Sequence, residues 1–249
     1  MPLYNEERVV EALLEAVNGL RWSGGDLVCQ ILDDSTDATP QRVMRWLDGL
    51  SARPGVQWEY LRRTRRDGFK AGALAAGLQA VPEAEFVAIF DADFRPAPDF
   101  LERAVAALEV EPSLAAVQAR WAHLNPGENA LTRVQALNLD AHFTVEQGGR
   151  TALGDWASFN GTAGVWRRAA IEAAGGWRGD TLAEDFDLSV RAHLAGWGIR
   201  YLDGLEAPAE LPAEFGGYAV QQHRWTAGGA GCARKHVWPV IRATRGSRR

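Results

Sequence analysis

Phe86-Val87-Ala88-Ile89-Phe90-Asp91-Ala92-Asp93 is the stretch that decides the fold. A continuous apolar run that stops on an acid reads as a strand buried on both faces. The same pattern stands earlier, where Leu27-Val28-Cys29-Gln30-Ile31-Leu32 runs into Asp33 and Asp34. Val56 to Leu61 and Leu114 to Ala119 are two further strands. Helical segments separate them. Val9, Val10, Leu13, Leu14 and Val17 share helical spacing within residues 7–20. Thr39-Pro40 opens a second helix, with Thr39 as cap and Pro40 at the first helical position. Residues 70–80 and 98–110 are the third and fourth. Apolar strands alternating with helices up to about residue 120 predict an α/β fold with a parallel sheet covered on both faces. Ligands bind such sheets at the C-terminal strand ends, where Asp33, Asp34, Asp91 and Asp93 all fall. Beyond residue 120 the pattern is less regular. Helices are expected over 129–147, 169–174 and 183–195, and the Pro-, Gly- and Glu-rich residues 204–217 read as loop.

The net charge of −5 argues against bulk nucleic-acid binding. Cys29 and Cys232 lie far apart, which gives neither a disulfide framework nor a metal motif and points to a reducing compartment. No segment reaches the roughly 18 consecutive apolar residues of a membrane helix. Two basic clusters remain, Arg62-Arg63-Thr64-Arg65-Arg66 and the set Arg234, Lys235, Arg242, Arg245, Arg248 and Arg249. Such runs are usually solvated surface. The first is also placed to meet phosphates, and the second to flank a membrane.

Two carboxylates at i and i+2, Asp91 and Asp93, can share a hard cation whose other positions bind diphosphate oxygens. Asp33 and Asp34 can accept hydrogen bonds from a base imide or a ribose hydroxyl, whereas Asp37 reads as a helix cap. Lys70, at the start of a small-residue helix, can reach phosphate. Asp185 follows Glu184 at a helix start, where an acid either compensates the helix dipole or acts as a general base. Gln221-Gln222-His223-Arg224-Trp225 joins an amide, a cation for phosphate and an indole for a sugar face.

Taken in order, Pro2-Leu3-Tyr4-Asn5-Glu6, Asp33 to Asp37, Lys70 to Leu74, Asp91-Ala92-Asp93, Phe159 to Arg167, Glu184 to Leu188 and Gln221 to Trp225 resemble the family 2 glycosyltransferases. The likeness is to their processive cellulose-synthase-like branch, and within it to β-mannan and glucan synthases. It covers nearly the whole chain. The resemblance implies a GT-A fold and an inverting, metal-dependent transfer of a hexose from a UDP- or GDP-sugar to a growing β-linked polysaccharide. It implies that Tyr4, Glu6, Asp33 and Asp34 line the nucleoside pocket and that Lys70 approaches the diphosphate. Asp91 and Asp93 hold the nucleotide with Mg²⁺ or Mn²⁺, and Asp185 is the base. Gln221, Arg224 and Trp225 grip the diphosphate and the acceptor end, and Phe159, Asn160, Gly161 and Thr162 form the acceptor floor.

One catalytic domain over 1–249 is therefore expected. Its nucleotide-sugar half spans 1–120, its acceptor half 121–232, and a basic tail 233–249. Family members carry a strand before the Pro-x-Tyr-Asn-Glu motif and flanking membrane helices, and both look absent. The full-length protein is accordingly expected at the cytoplasmic face of a membrane, with this chain alone soluble. Two rival readings are a non-catalytic or truncated nucleotide-sugar-binding module and, from Phe90-Asp91-Ala92-Asp93-Phe94, a haloacid-dehalogenase-like phosphatase.

Overall fold

The computed structural model describes residues 1–246. The expectations placed on Arg248 and Arg249 lie outside these residues, as does the side chain of Arg245. Two sheets share one α/β body. In the first, β1 (Pro2–Leu3), β2 (Leu27–Asp33) and β3 (Val56–Arg62) run parallel. In the second the order is β4 (Phe86–Ile89), β6 (Gly164–Arg167), β5 (Leu114–His123) and β7 (Gly198–Ala209). β5 and β7 are parallel, while β6 runs antiparallel to both β4 and β5. The sheet order is thus mostly parallel, but β4 and β5 are not direct neighbours as their alternation with helices suggested. Within the motif itself, Pro2 and Leu3 form the two residues of β1, paired with Leu32 and Asp33.

Helices cover both faces, which is why the strands read as unbroken apolar runs. Along β4, Phe86 and Ala88 pack against the core formed by α1 (Val10–Asn18), α2 (Thr39–Asp48) and α4 (Phe100–Val110). Val87 and Ile89 turn to the opposite core, built on α3 (Phe69–Ala80), α7 (Arg168–Ala173) and α8 (Glu184–Leu194). The helix expected over 129–147 is α5 (Ala130–Asp140), continued by a π-helical turn over Ala141–Gln147 and then by α6 (Gly148–Leu153).

Three readings need correction. Thr39 is the first residue of α2 and Ala38 stands at its cap position, with the Asp37 carboxylate accepting the Thr39 N–H at 2.9 Å. Residues 204–209 are not loop but the end of β7. Its register against β5 jumps after Leu202, so that Asp203-Gly204-Leu205 bulges out between Ala119 and Arg120. β7 lies at the edge of the sheet, where Pro208 is tolerated. Residues 215–246 form one long helix, α9 (Phe215–Gly246). No helix among the described residues is long and apolar enough to cross a membrane.

Candidate active site

The turn after β1 and the turn after β2 are stitched together. Asn5 donates its N–H to Ser35 Oγ (2.8 Å), and the Glu6 N–H reaches Thr39 Oγ1 (2.8 Å). The Asn5 side chain in return accepts from the Thr36 N–H at 2.9 Å. Asn5 has φ +60°, a left-handed value that asparagine tolerates better than most residues. The result holds Tyr4 outward and brings Glu6 towards the carboxylates after β4. Burial, then Asp93, Asp91 and Asp37, push the Glu6 carboxyl up to about 7, partly offset by Arg224. The site therefore draws on both the start of the sequence and α9.

Asp91 ends the chain segment that leaves β4. Its N–H is held by Thr162 Oγ1 (2.8 Å), and its carboxylate takes the Lys70 ammonium at 2.6 and 2.8 Å. Lys70, from the first turn of α3, also donates to the Gly161 carbonyl (3.0 Å) and lies 3.8 Å from Glu184. Burial alone would lower the Lys70 pKa, but Asp91 and Glu184 outweigh it and raise the net value. Asp185 sits beside Glu184 at the start of α8. Burial first, and the Glu184 charge second, push its carboxyl up to about 7, while Lys70 pulls the other way. A carboxyl poised near neutrality suits proton transfer. A Cβ at Gly161, where φ is +83°, would lie 3.0 Å from Asp185 Oδ2 and 3.6 Å from Lys70 Nζ. Only glycine leaves that corner open.

Asp93 differs from Asp91 in having no ion pair among the described residues. Burial and the neighbouring Asp91 raise its carboxyl to about 6. Two hard oxygen donors, one of them without a paired cation and repelled by the other, fit a divalent ion. Among the described residues no three His, Cys, Asp or Glu side chains converge into a preformed cage. A small hard cation held by one or two carboxylates completes its shell with substrate phosphates and water, so the pair is sufficient.

Not every expected residue faces the site. Asp33 is buried, and its carboxylate is taken by Tyr60 Oη (2.6 Å) and the Ser35 N–H (2.8 Å). Through Tyr60 it ties β2 to β3. The Asp34 side chain is nearly buried and is held by the Arg63 guanidinium. Phe159 is packed in the core and Thr162 lies beneath Asp91, so neither offers a surface to an acceptor. Asn160 is engaged by Gln147 Nε2 (2.6 Å) and His142 Nε2 (3.1 Å). On α9, Arg224 is exposed and Trp225 stands 6.1 Å from Trp121, which in turn stacks edge-on to Phe94 beside Asp93 (5.2 Å). Gln221 is half-buried on the same helix.

Two residues that sequence reasoning passed over matter here. Gln118 is fully buried in β5. It accepts the Asn160 N–H (2.7 Å) and donates to the Ala119, Thr162 and Ala163 carbonyls, which fixes the loop that carries Gly161. Its signal was an amide in the middle of an apolar strand. Glu184, read only as the partner of Asp185 in the motif, supplies the second charge to Lys70.

A family model described as glycosyl transferase family group 2 matches residues 86–248. The chain belongs to that family. Glucomannan 4-beta-mannosyltransferase 2 of Arabidopsis thaliana is 46% identical over 244 residues, covering 97% of this chain and 46% of the relative. Glucomannan 4-beta-mannosyltransferase 1 of Oryza sativa subsp. japonica is 45% identical over 97% of this chain and 47% of its own length. The chain thus spans about half the length of the curated relatives it matches. Among solved structures, the mannosyltransferase PcManGT from Pyrobaculum calidifontis in complex with GDP-Man and Mn²⁺ superposes with a TM-score of 0.73 at 24% identity, covering 98% of this chain and 67% of that one. The glucosyl-3-phosphoglycerate synthase from Mycobacterium tuberculosis with Mn²⁺ and UDP-glucose gives 0.56 at 18% identity, over 93% and 77%. The fold is GT-A. The phosphatase reading of Phe90 to Phe94 falls with the family assignment.

Proposed function

We propose that the chain is the catalytic domain of an inverting β-mannosyltransferase that moves mannose from GDP-mannose to the end of a growing β-1,4-linked polysaccharide. The observation that carries this is the Lys70 ammonium, which ties Asp91 to the Gly161 carbonyl while Glu184 and Asp185 stand on its other side. The relatives named as glucomannan 4-beta-mannosyltransferases support the sugar and the linkage.

In this reading Asp185 removes the proton from the acceptor hydroxyl as its oxygen bonds to the anomeric carbon. The bond from that carbon to the diphosphate breaks, and nucleoside diphosphate leaves with both electrons. Lys70 balances charge on the departing phosphates, and Arg224 approaches from α9. Asp91 and Asp93 would hold Mg²⁺ or Mn²⁺, which neutralises further charge on the diphosphate when bound. Trp225 offers its face to the acceptor sugar. Cytosolic placement beside a membrane belongs to the same proposal. It is supported by the far end of α9, where Val237 and Trp238 are exposed close to Arg242.

The test is a donor panel of GDP-mannose, GDP-glucose, UDP-glucose and UDP-N-acetylglucosamine with a β-1,4 manno-oligosaccharide and Mn²⁺. Extension of the acceptor from GDP-mannose alone is expected. Extension from a UDP-sugar instead would overturn the donor assignment. Nucleotide binding without any extension would favour a binding module.

A further inference from the structure

The basic run ahead of α3 is left over from the site as described. Three of its four arginines have acceptors. Arg62 donates to the Ser35 carbonyl (2.7 Å), Arg63 clamps Asp34, and Arg65 reaches Asp67 (3.2 Å). The Arg66 side chain makes no hydrogen bond or ion pair among the described residues, although its carbonyl accepts the Phe69 N–H (3.1 Å). Its guanidinium lies flat against aromatic carbon, 3.3 Å from the Tyr4 ring centroid and 5.2 Å from that of Phe69.

Both rings are unusually open for aromatics, Tyr4 at 40% and Phe69 at 57%. Both also border strained backbone. Phe69 itself has φ +50° and Asn5, next to Tyr4, has φ +60°. A left-handed phenylalanine is strained and persists where the surroundings enforce it, commonly at ligand clamps. Here Arg63 enforces it by donating to the Phe69 carbonyl (3.0 Å) as well as to Asp34. The strain turns the phenyl ring outward, away from the core. The slot beside Tyr4 takes planar, delocalised groups, and a guanidinium and a nucleobase share that character.

We propose that Arg66 is a donor-exchanged residue. Its guanidinium fills the Tyr4–Phe69 slot while no nucleotide is present, and a nucleobase entering the slot releases it to bind the diphosphate. The proposal rests on the nucleotide-sugar reading of the site. It links the basic run to phosphate only after the base has docked, so that one side chain serves both ends of the nucleotide in turn.

The two roles have opposite signs, which makes them separable. Guanosine, GDP and UDP are titrated into the parent chain, R66A and R66K by ligand-observed NMR, with Mg²⁺ present for the diphosphates. R66A should bind guanosine about two- to fivefold tighter, because an exposed cation–π contact no longer competes for the slot. It should bind GDP about tenfold more weakly, through loss of a charged contact to phosphate. R66K should match R66A with guanosine and recover part of the GDP affinity. Guanosine binding in R66A no tighter than in the parent overturns the slot, and GDP binding no weaker overturns the release. If the parent binds neither GDP nor UDP, the nucleotide-sugar reading itself fails. If the parent binds GDP and R66A shifts both ligands the same way, only the exchange fails.

Discussion

Asp185 carries two opposed demands. Burial and the Glu184 charge hold its proton to about pH 7, against an ordinary value near 4. As a base it must be ionised, so transfer should rise about tenfold per pH unit on the acid side and level off above pH 7. Stability runs the other way. The folded chain binds this proton more tightly than the unfolded one, so the contribution is complete below pH 4 and is lost as pH rises through 7. Asp185→Asn should therefore cost about 10²–10⁴ in transfer rate while leaving GDP binding intact. It should also melt above the parent at pH 8, with the gap closing towards pH 4. A flat pH–rate profile would remove Asp185 as the base, and an unchanged melting point at pH 8 would contradict the buried-charge account.

Element by element, the strands and most helices of the first half were legible because burial on both faces writes itself as uninterrupted apolar runs. β7 and α9 were not. β7 breaks its own pattern with a three-residue bulge, and Gly204 and Pro208 in it carry the chemistry of loops. α9 contains Gly228, Gly229, Gly231 and Pro239, residues that argue against a helix unless packing overrides propensity. At Gly228 packing does override it. An added Cβ would meet Ala183 Cβ at 2.8 Å and backbone atoms of Leu182 and Ala183 at 3.0–3.1 Å, so the helix lies against the chain just ahead of α8. Gly229 faces open space. The same substitution at adjacent positions should thus have opposite signs. Gly229→Ala should stabilise by up to about 1 kcal/mol through helix propensity, and Gly228→Ala should destabilise by about 1–3 kcal/mol through overpacking. Denaturant midpoints of the two variants decide it. Equal shifts would mean that α9 is not seated as described.

For the whole molecule, the question is what holds α9 in place, since it brings Arg224 and Trp225 to the site. The fastening is Asp187, fully buried on α8. Its carboxylate takes Arg191 (2.8 Å) from its own helix and Lys235 (2.6 Å) and His236 (2.7 Å) from α9. Burial opposes its charge, but these three partners win and hold the Asp187 carboxyl below the usual range. Its contribution is present at neutral pH and lost as the medium turns acid enough to protonate it. Asp187→Ala should cost about 3–5 kcal/mol in urea unfolding, the cost of leaving the buried Arg191 guanidinium without its carboxylate. A loss under 1 kcal/mol would show that α9 is held by other contacts. The motif order had marked Asp91, Asp93, Lys70, Asp185 and Arg224 in sequence, and they do converge. It could not show that Asp33, Phe159 and Thr162 face inward, because Asp33 is the last residue of β2 and the other two lie in the irregular segment ahead of β6, where motif order sets no side-chain direction. Nor could it show a clamp made between residues about fifty positions apart.

Lys70 grips the carbonyl of residue 161, and Glu6 feels the charge of residue 224. Contacts that span so much chain form slowly, since each must close a long loop before it is rewarded. The first half of the fold can collapse early around β2, β3 and their helices. The reactive centre is complete only when α9 docks near the far end of the chain. On a ribosome, competence to bind donor would therefore arrive abruptly, only once α9 has emerged.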